Sequence, residues 1–209
     1  MWELTKSALK KSLAQPLPGE EAHVNMQPAA RKELTKLMKA KHPKANLGGV
    51  ALLIYPWNNE PHLCFMRRPE YDGAHGGQIS FPGGKKELGD KDLVETALRE
   101  LEEEVGVSQK EVEIIGKLSK LYIPPSNFEV HPVVATLDAR PEFIPDPREV
   151  AEILEVPLSH LSNPKNQGVD NFVNKKGIGV QAPFYKFNGH KIWGATAMIL
   201  SEFLMVNTN

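Results

Sequence analysis

Residues 83–107 read GGKKELGDKDLVETALRELEEEVGV, and from Asp92 onward the segment is strongly periodic. At roughly 100° per residue, Leu93, Val94, Ala97, Leu98, Leu101 and Val105 fall on one apolar arc, which predicts an amphipathic helix over about residues 92–105. Glu100 and Glu104 fall together at one margin of that arc, with Glu103 just beyond them on the same side. Glu95 and Glu102 lie past the opposite margin, toward solvent. Carboxylates at i, i+3 and i+4 repel by a few tenths of a kcal/mol per pair even when solvated. A hard cation such as Mg²⁺ or Mn²⁺ removes the conflict, because it favours carboxylate oxygens. Arg99 can pair with Glu95 or Glu103 at the same helical spacing. A solvated acidic face is the competing reading of the cluster taken alone.

The residues just upstream bear on that choice. Gly73-Ala74-His75-Gly76-Gly77-Gln78-Ile79-Ser80-Phe81-Pro82-Gly83-Gly84-Lys85-Lys86 is a glycine-rich loop by composition. Gly83 and Gly84 after Pro82 permit a tight turn and close backbone approach to a ligand. Lys85 and Lys86 are placed to offset phosphate charge. A turn suited to phosphate therefore feeds a helix with a convergent acidic triplet.

Farther out, the 209-residue chain is long enough for one well-buried domain with decoration. Lys plus Arg number 25 and Asp plus Glu 26, so net charge gives no footing for wrapping nucleic acid. Cys64, the only cysteine, lies in the apolar run Leu63-Cys64-Phe65-Met66 and reads as a buried structural thiol in a reducing compartment. No apolar run approaches the roughly 20 residues of a membrane span, and the N-terminus lacks the apolar stretch of a signal sequence. The expectation is a soluble, cytoplasmic protein.

Residues 1–14 and 29–41 read as helices of an N-terminal extension (1–46) preceding a domain at 47–209. Residues 48–55 and 62–67 read as a strand pair joined through Pro56–Pro61. Residues 111–118, 129–137 and 153–158 read as strands. Residues 184–187 and 190–193 flank Asn188-Gly189, a hairpin dipeptide, and 195–206 reads as a terminal amphipathic helix. Strands with helices between them predict an α/β sandwich rather than a regular βαβ winding. The early helices could pack on the core or form a homodimer contact.

Gly84, five residues, Asp90, eight residues, then Arg99-Glu100-Leu101-x-Glu103-Glu104-x-Gly106-Val107 resembles the signature of the Nudix hydrolases. The half R-E-L-x-E-E-x-G-V matches throughout. The family acid expected eight positions before the arginine is displaced by one, from Lys91 to Asp90, with Glu87 as a second candidate. The coenzyme A pyrophosphatase branch carries that expansion. It also carries G-Q-(V/I)-x-F-P-G-G, matched by Gly77–Gly84. Its upstream residues match at Arg68 and His75, whereas Pro69, Asp72 and Gly73 depart from it, Gly73 standing where the branch has a second arginine.

The resemblance implies an α/β/α sandwich with a mixed sheet and a catalytic loop-helix-loop. It implies hydrolysis of a diphosphate linkage in a small nucleoside diphosphate derivative, with Mg²⁺ or Mn²⁺ held by Glu100, Glu103 and Glu104 and the Gly84 carbonyl. Coenzyme A or an acyl-CoA is the expected substrate; ADP-ribose, NADH or a nucleoside triphosphate is the alternative, and a non-catalytic ligand sensor the alternative of another class. Arg67, Arg68, Gln78, Gly83 and Lys85 are the expected substrate contacts. Arg99 and Asp90 are expected to support the site, and Glu149 and Glu152 are candidates for the general base.

Overall fold

The computed structural model describes residues 2–42, 44–70, 76–173 and 179–207. Three helices come first: α1 (Trp2–Leu13), α2 (Glu20–Val24) and α3 (Arg31–Lys41). Strands β1 (Asn46–Trp57), β2 (Glu60–Arg67), β3 (Ile79–Ser80) and β4 (Gly83–Lys85) lead to helix α4 (Leu93–Val105). Then follow β5 (Glu113–Lys117), β6 (Leu121–Ile123), β7 (Phe128–Thr136), β8 (Glu152–Pro157), the short helix α5 (Leu158–Leu161), β9 (Gln167–Val173), β10 (Gly179–Phe187), β11 (His190–Trp193) and α6 (Gly194–Asn207).

Eight of these strands form one sheet and β9, β10 and β11 a second. The large sheet is mixed: β1 runs parallel to β7 from Asn46↔Phe128 to Ile54↔Thr136, and antiparallel to β2 and β4. β1 and β2 stay paired through Pro56↔Pro61, and only Asn58 and Asn59, both at positive φ, make the turn. The six-residue connection expected from the prolines is thus a two-residue hairpin turn. Asn188-Gly189 forms the second such turn, with φ of 46° and 83°.

Alternation along the strands gives the large sheet two apolar faces. On one, Ala51, Leu53, Tyr55, Cys64 and Met66 pack against Ala97, Leu101 and Val105 of α4. On the other, Leu52, Ile54, Leu63 and Phe65 pack against Ala197, Leu200 and Phe203 of α6. These layers are the expected α/β/α sandwich.

α6 departs from the amphipathic reading, being buried on all sides from Thr196 to Leu204. The N-terminal region covers what would be its outer face: Leu9, Leu13 and Met26 belong to the same core as α6. Glu202 of α6, fully buried, accepts hydrogen bonds from His23 Nε2 at 3.0 Å, Gly19 N at 3.2 Å and Ser119 N at 3.1 Å. Burial alone would raise its pKa, but the bonds from His23 and Ser119 outweigh that and hold it below the usual carboxylate value. Cys64 is buried, and burial pushes its thiol up, as expected of a structural side chain. Among the described residues no helix is long and apolar enough to cross a membrane.

Candidate active site

α4 is fixed at both ends by local chemistry. Asp92 caps its start, accepting from the amides of Val94 and Glu95 at 2.9 Å each. Gly106 ends it at φ 76°, the left-handed conformation that glycine tolerates. Between these ends the apolar arc binds the sheet, which sets the direction of each glutamate. Glu104 is turned fully inward, with 1% of its surface exposed. Glu100 lies beside it, half-buried, Glu103 is exposed, and Glu102 faces solvent. Glu95 pairs outward with Lys91.

The glycine-rich stretch is less of a loop than its composition suggests. Gly83–Lys85 is a strand laid antiparallel on Gly48–Val50, which brings its backbone directly under α4. A Cβ at Gly84 would stand 2.4 Å from Glu100 Oε1 and 2.6 Å from Oε2, so the carboxylate occupies the space a side chain would need. The Gly83 amide donates to Glu104 Oε2 at 2.7 Å. Arg68 Nη2 donates to Glu104 Oε1 at 2.9 Å and to the Gly83 carbonyl at 3.1 Å. Its Nη1 is 4.0 Å from Glu149 Oε2.

A second arginine organises the other margin of the helix. Arg99 donates to Asp90, to Glu103 at 2.9 Å and to the Lys85 carbonyl at 3.1 Å, and pairs with Glu100 at 3.0 Å. Asp90 also accepts from the Glu87 amide and the Thr96 hydroxyl, both at 2.9 Å. The bonds from Arg99 and then from the Glu87 amide hold Asp90 well below the usual carboxylate range. Lys86 Nζ donates to the Asp90 carbonyl, while the Lys85 side chain is exposed.

Burial dominates the charge state of the two inner glutamates. It pushes Glu104 up to about 8, against the opposing pull of Arg68 and the Gly83 amide. It also raises Glu100. The charge of Glu149 acts on both, adding to the strain of gathering acids here. Glu149 is brought in by a turn that docks on the end of α4, where Ile144 N and Asp146 N donate to the carbonyls of Val105 and Glu104 at 2.9 Å each.

Glu152 and Arg67 go elsewhere. Glu152 opens β8 rather than lying in the loop, and is paired with Arg67 across the sheet. Arg67 Nε donates to it at 3.0 Å, and His190 is 3.3 Å away. Their neighbours Ile79, Phe65 and Leu154 belong to the α6 core, so this pair faces away from α4. Gln78, whose carbonyl accepts from the Arg68 amide at 3.0 Å, lies by strand alternation on the α4 face. Trp193 stacks on Phe172 at 4.1 Å, an aromatic pair contributed by the missed strand β9. His75, Asp72 and Gly73 fall outside the described residues.

The donor set suits a hard divalent cation in kind: carboxylate oxygens crowded together, and a bare Gly84 against one of them. Among the described residues, no three acidic, histidine or cysteine groups are already gathered as a metal cluster. Each of the three glutamates rests on an arginine: Glu100 and Glu103 on Arg99, Glu104 on Arg68.

A family model for the NUDIX domain matches residues 48–175. The chain is 33% identical over 192 residues to the mitochondrial coenzyme A diphosphatase NUDT8 of Homo sapiens, covering 90% of this chain and 73% of that protein. It is 38% identical over 144 residues to the uncharacterized Nudix hydrolase NudL of Photorhabdus laumondii, covering 68% and 75%. Among solved structures, a NUDIX hydrolase from Alicyclobacillus acidocaldarius aligns at TM-score 0.49 and 16% identity over 57% of this chain and 82% of that one.

Proposed function

Because the chain belongs to the Nudix family and is a pyrophosphohydrolase by that membership, we propose that its substrate is coenzyme A or an acyl-CoA. Coenzyme A would be cleaved to 3′,5′-ADP and 4′-phosphopantetheine. The observation that carries the reading is the continuous match of Gly77–Gly84 to the coenzyme A branch pattern, in a chain whose relatives include a coenzyme A diphosphatase.

In this reaction water attacks one phosphorus of the P–O–P bridge, and the bridging oxygen leaves with the other phosphate. The demands on the protein are neutralisation of charge and placement of water. Glu100, Glu103 and Glu104, with the Gly84 carbonyl, are the groups that would hold Mg²⁺ or Mn²⁺. Such a cation, when bound, supplies charge neutralisation of the diphosphate and lowers the pKa of water. Arg68 is set among the acids, where it can turn from Glu104 to a phosphoryl oxygen. Gln78, on the same face, and the Gly83 backbone complete that wall, with Lys85 exposed at its rim. The role of accepting the proton of the attacking water is assigned to Glu149, a reading supported by its approach to within 4.0 Å of Arg68. Asp90 holds Arg99, which in turn positions Glu100 and Glu103.

The test is hydrolysis by purified protein with Mg²⁺ or Mn²⁺ across coenzyme A, ADP-ribose, NADH and nucleoside triphosphates, with products identified by mass. The expected result is highest kcat/KM for coenzyme A or its thioesters. Preference for ADP-ribose or NADH would overturn the substrate reading and leave the hydrolase intact. Turnover should fall at least about 100-fold in Glu104→Gln and change little in Glu102→Gln.

A further inference from the structure

Ser80 carries a hydroxyl that the fold buries and leaves without a hydrogen-bond partner among the described residues. Native proteins rarely leave such a group unmatched, because its hydration is lost and nothing replaces it. The strand register says where this hydroxyl points. Ser80 stands directly opposite Met66 in the β2–β3 pair, and opposed residues project from the same face. Met66 packs with Ala97 and Leu101 of α4. Ile79, the preceding residue, opposes Arg67 and packs in the α6 core instead. Ser80 therefore lies on the face of the sheet that α4 covers with Glu100 and Glu104. It sits opposite β2, which leads directly into Arg68, and three residues before Gly83, whose amide is held by Glu104.

The chemistry of that face identifies the missing partner. On that face the Arg68 guanidinium and the Gly83 amide both donate to Glu104, and among the described residues no carboxylate accepts from Ser80. The Ser80 hydroxyl is a donor there with nothing to donate to. An acceptor-only anion entering beside Arg68 would meet it as Arg68 leaves Glu104. We propose that Ser80 Oγ–H donates a hydrogen bond to a non-bridging oxygen of the substrate's diphosphate, making Ser80 a further substrate-binding residue. This rests on the hydrolase reading but not on the choice of coenzyme A, since every candidate substrate shares the diphosphate.

The test compares Ser80→Ala and the near-isosteric Ser80→Cys with wild type, using whichever diphosphate the wild type hydrolyses best. Both variants are expected to lose about 10-fold or more in kcat/KM, the range for a hydrogen bond to a charged group. The Tm of the ligand-free protein should equal or exceed wild type, because the hydroxyl has no partner to lose. Unchanged kcat/KM in either variant overturns the proposal. So does a loss accompanied by a Tm lowered by more than about 5 °C, which would make the hydroxyl structural. A wild type that hydrolyses no diphosphate would defeat the hydrolase reading itself and this inference with it, a result distinct from active wild type with indifferent variants.

Discussion

Asp90 Oδ1 accepts from Arg99 Nε at 3.0 Å and Asp90 Oδ2 from Arg99 Nη2 at 3.2 Å, a forked pair formed nine residues apart in sequence. The planar guanidinium is thereby fixed in one orientation, and its remaining N–H groups are directed at Glu103 and the Lys85 carbonyl. One ion pair thus ties the loop before α4 to the helix's acidic margin.

Asp90→Asn should lower stability by about 1–3 kcal/mol at pH 7 and reduce kcat as Arg99 loses its anchor. The pH dependence follows from the sign of the shift. Asp90 has a depressed pKa in the folded state, so its contribution is complete above the unfolded value of about 4 and is lost as pH falls through the lower folded value. Urea midpoints for wild type and Asp90→Asn should therefore differ most at neutral pH and converge on acidification below about pH 4. A gap that stays constant to pH 2 would show that the charge contributes nothing.

Gly84→Ala should be far more damaging than a methyl group usually is. The added Cβ would meet Glu100 Oε1 at 2.4 Å and its Cδ at 2.5 Å, so the carboxylate must leave or β4 must shift. The expected outcome is a loss of turnover of at least about 10-fold, since misplacement of a reacting group by about 1 Å has costs of that order or larger. Gly89→Ala is the control, because nothing lies within 4 Å of a Cβ there. Equal activity in the two variants would remove Glu100 from the site.

These contacts also show what a single sequence can and cannot convey. The 3.6-residue period in 92–105 was enough to separate Glu104 from Glu102, because a helix face is set by local spacing. Asp90 was legible through the family spacing despite the one-residue displacement. Gly83–Lys85 read as a loop because a glycine pair has no alternation to reveal a strand; only pairing with β1 makes it one. β9 was missed for a related reason: QGVDNFV is half-exposed along its length and mixes turn formers with apolar residues. The burial of α6 on every side depends on α1 and α2, far away in the chain. Arg67 and Arg68, or Glu149 and Glu152, look equivalent in sequence, yet the end of β2 turns the arginines to opposite faces, and a turn docked on α4 brings Glu149 to Arg68 while β8 carries Glu152 to Arg67.

Residues 1–46 are proposed as an extension that folds with the domain at 47–209. Leu9 is 2% exposed and belongs to the core shared with α6. Leu9→Ala should then cost about 2–5 kcal/mol and shift one cooperative transition. Trp2 reports on α1, whereas Trp57 and Trp193 report on the two sheets. In single-tryptophan variants, denaturation followed at each position should give coincident midpoints that move together on the Leu9 substitution. An early transition seen only through Trp2 would mean that the extension folds independently.

Glu149 and Glu152 give the sharpest test of the site. Glu149 lies 4.0 Å from Arg68, and its charge raises both Glu100 and Glu104. Glu152 is occupied by Arg67 and His190 on the other face. If Glu149 accepts the proton of the attacking water, Glu149→Gln should reduce kcat by about 100-fold or more with little change in KM. Glu152→Gln should retain kcat within about threefold, since it lacks contact with the acids of α4, and any loss should be one of stability from the surface pair with Arg67, about 0–1 kcal/mol. The reverse ranking would place the chemistry on the α6 face and overturn the assignment of Arg68, Glu104 and Glu149 to one site.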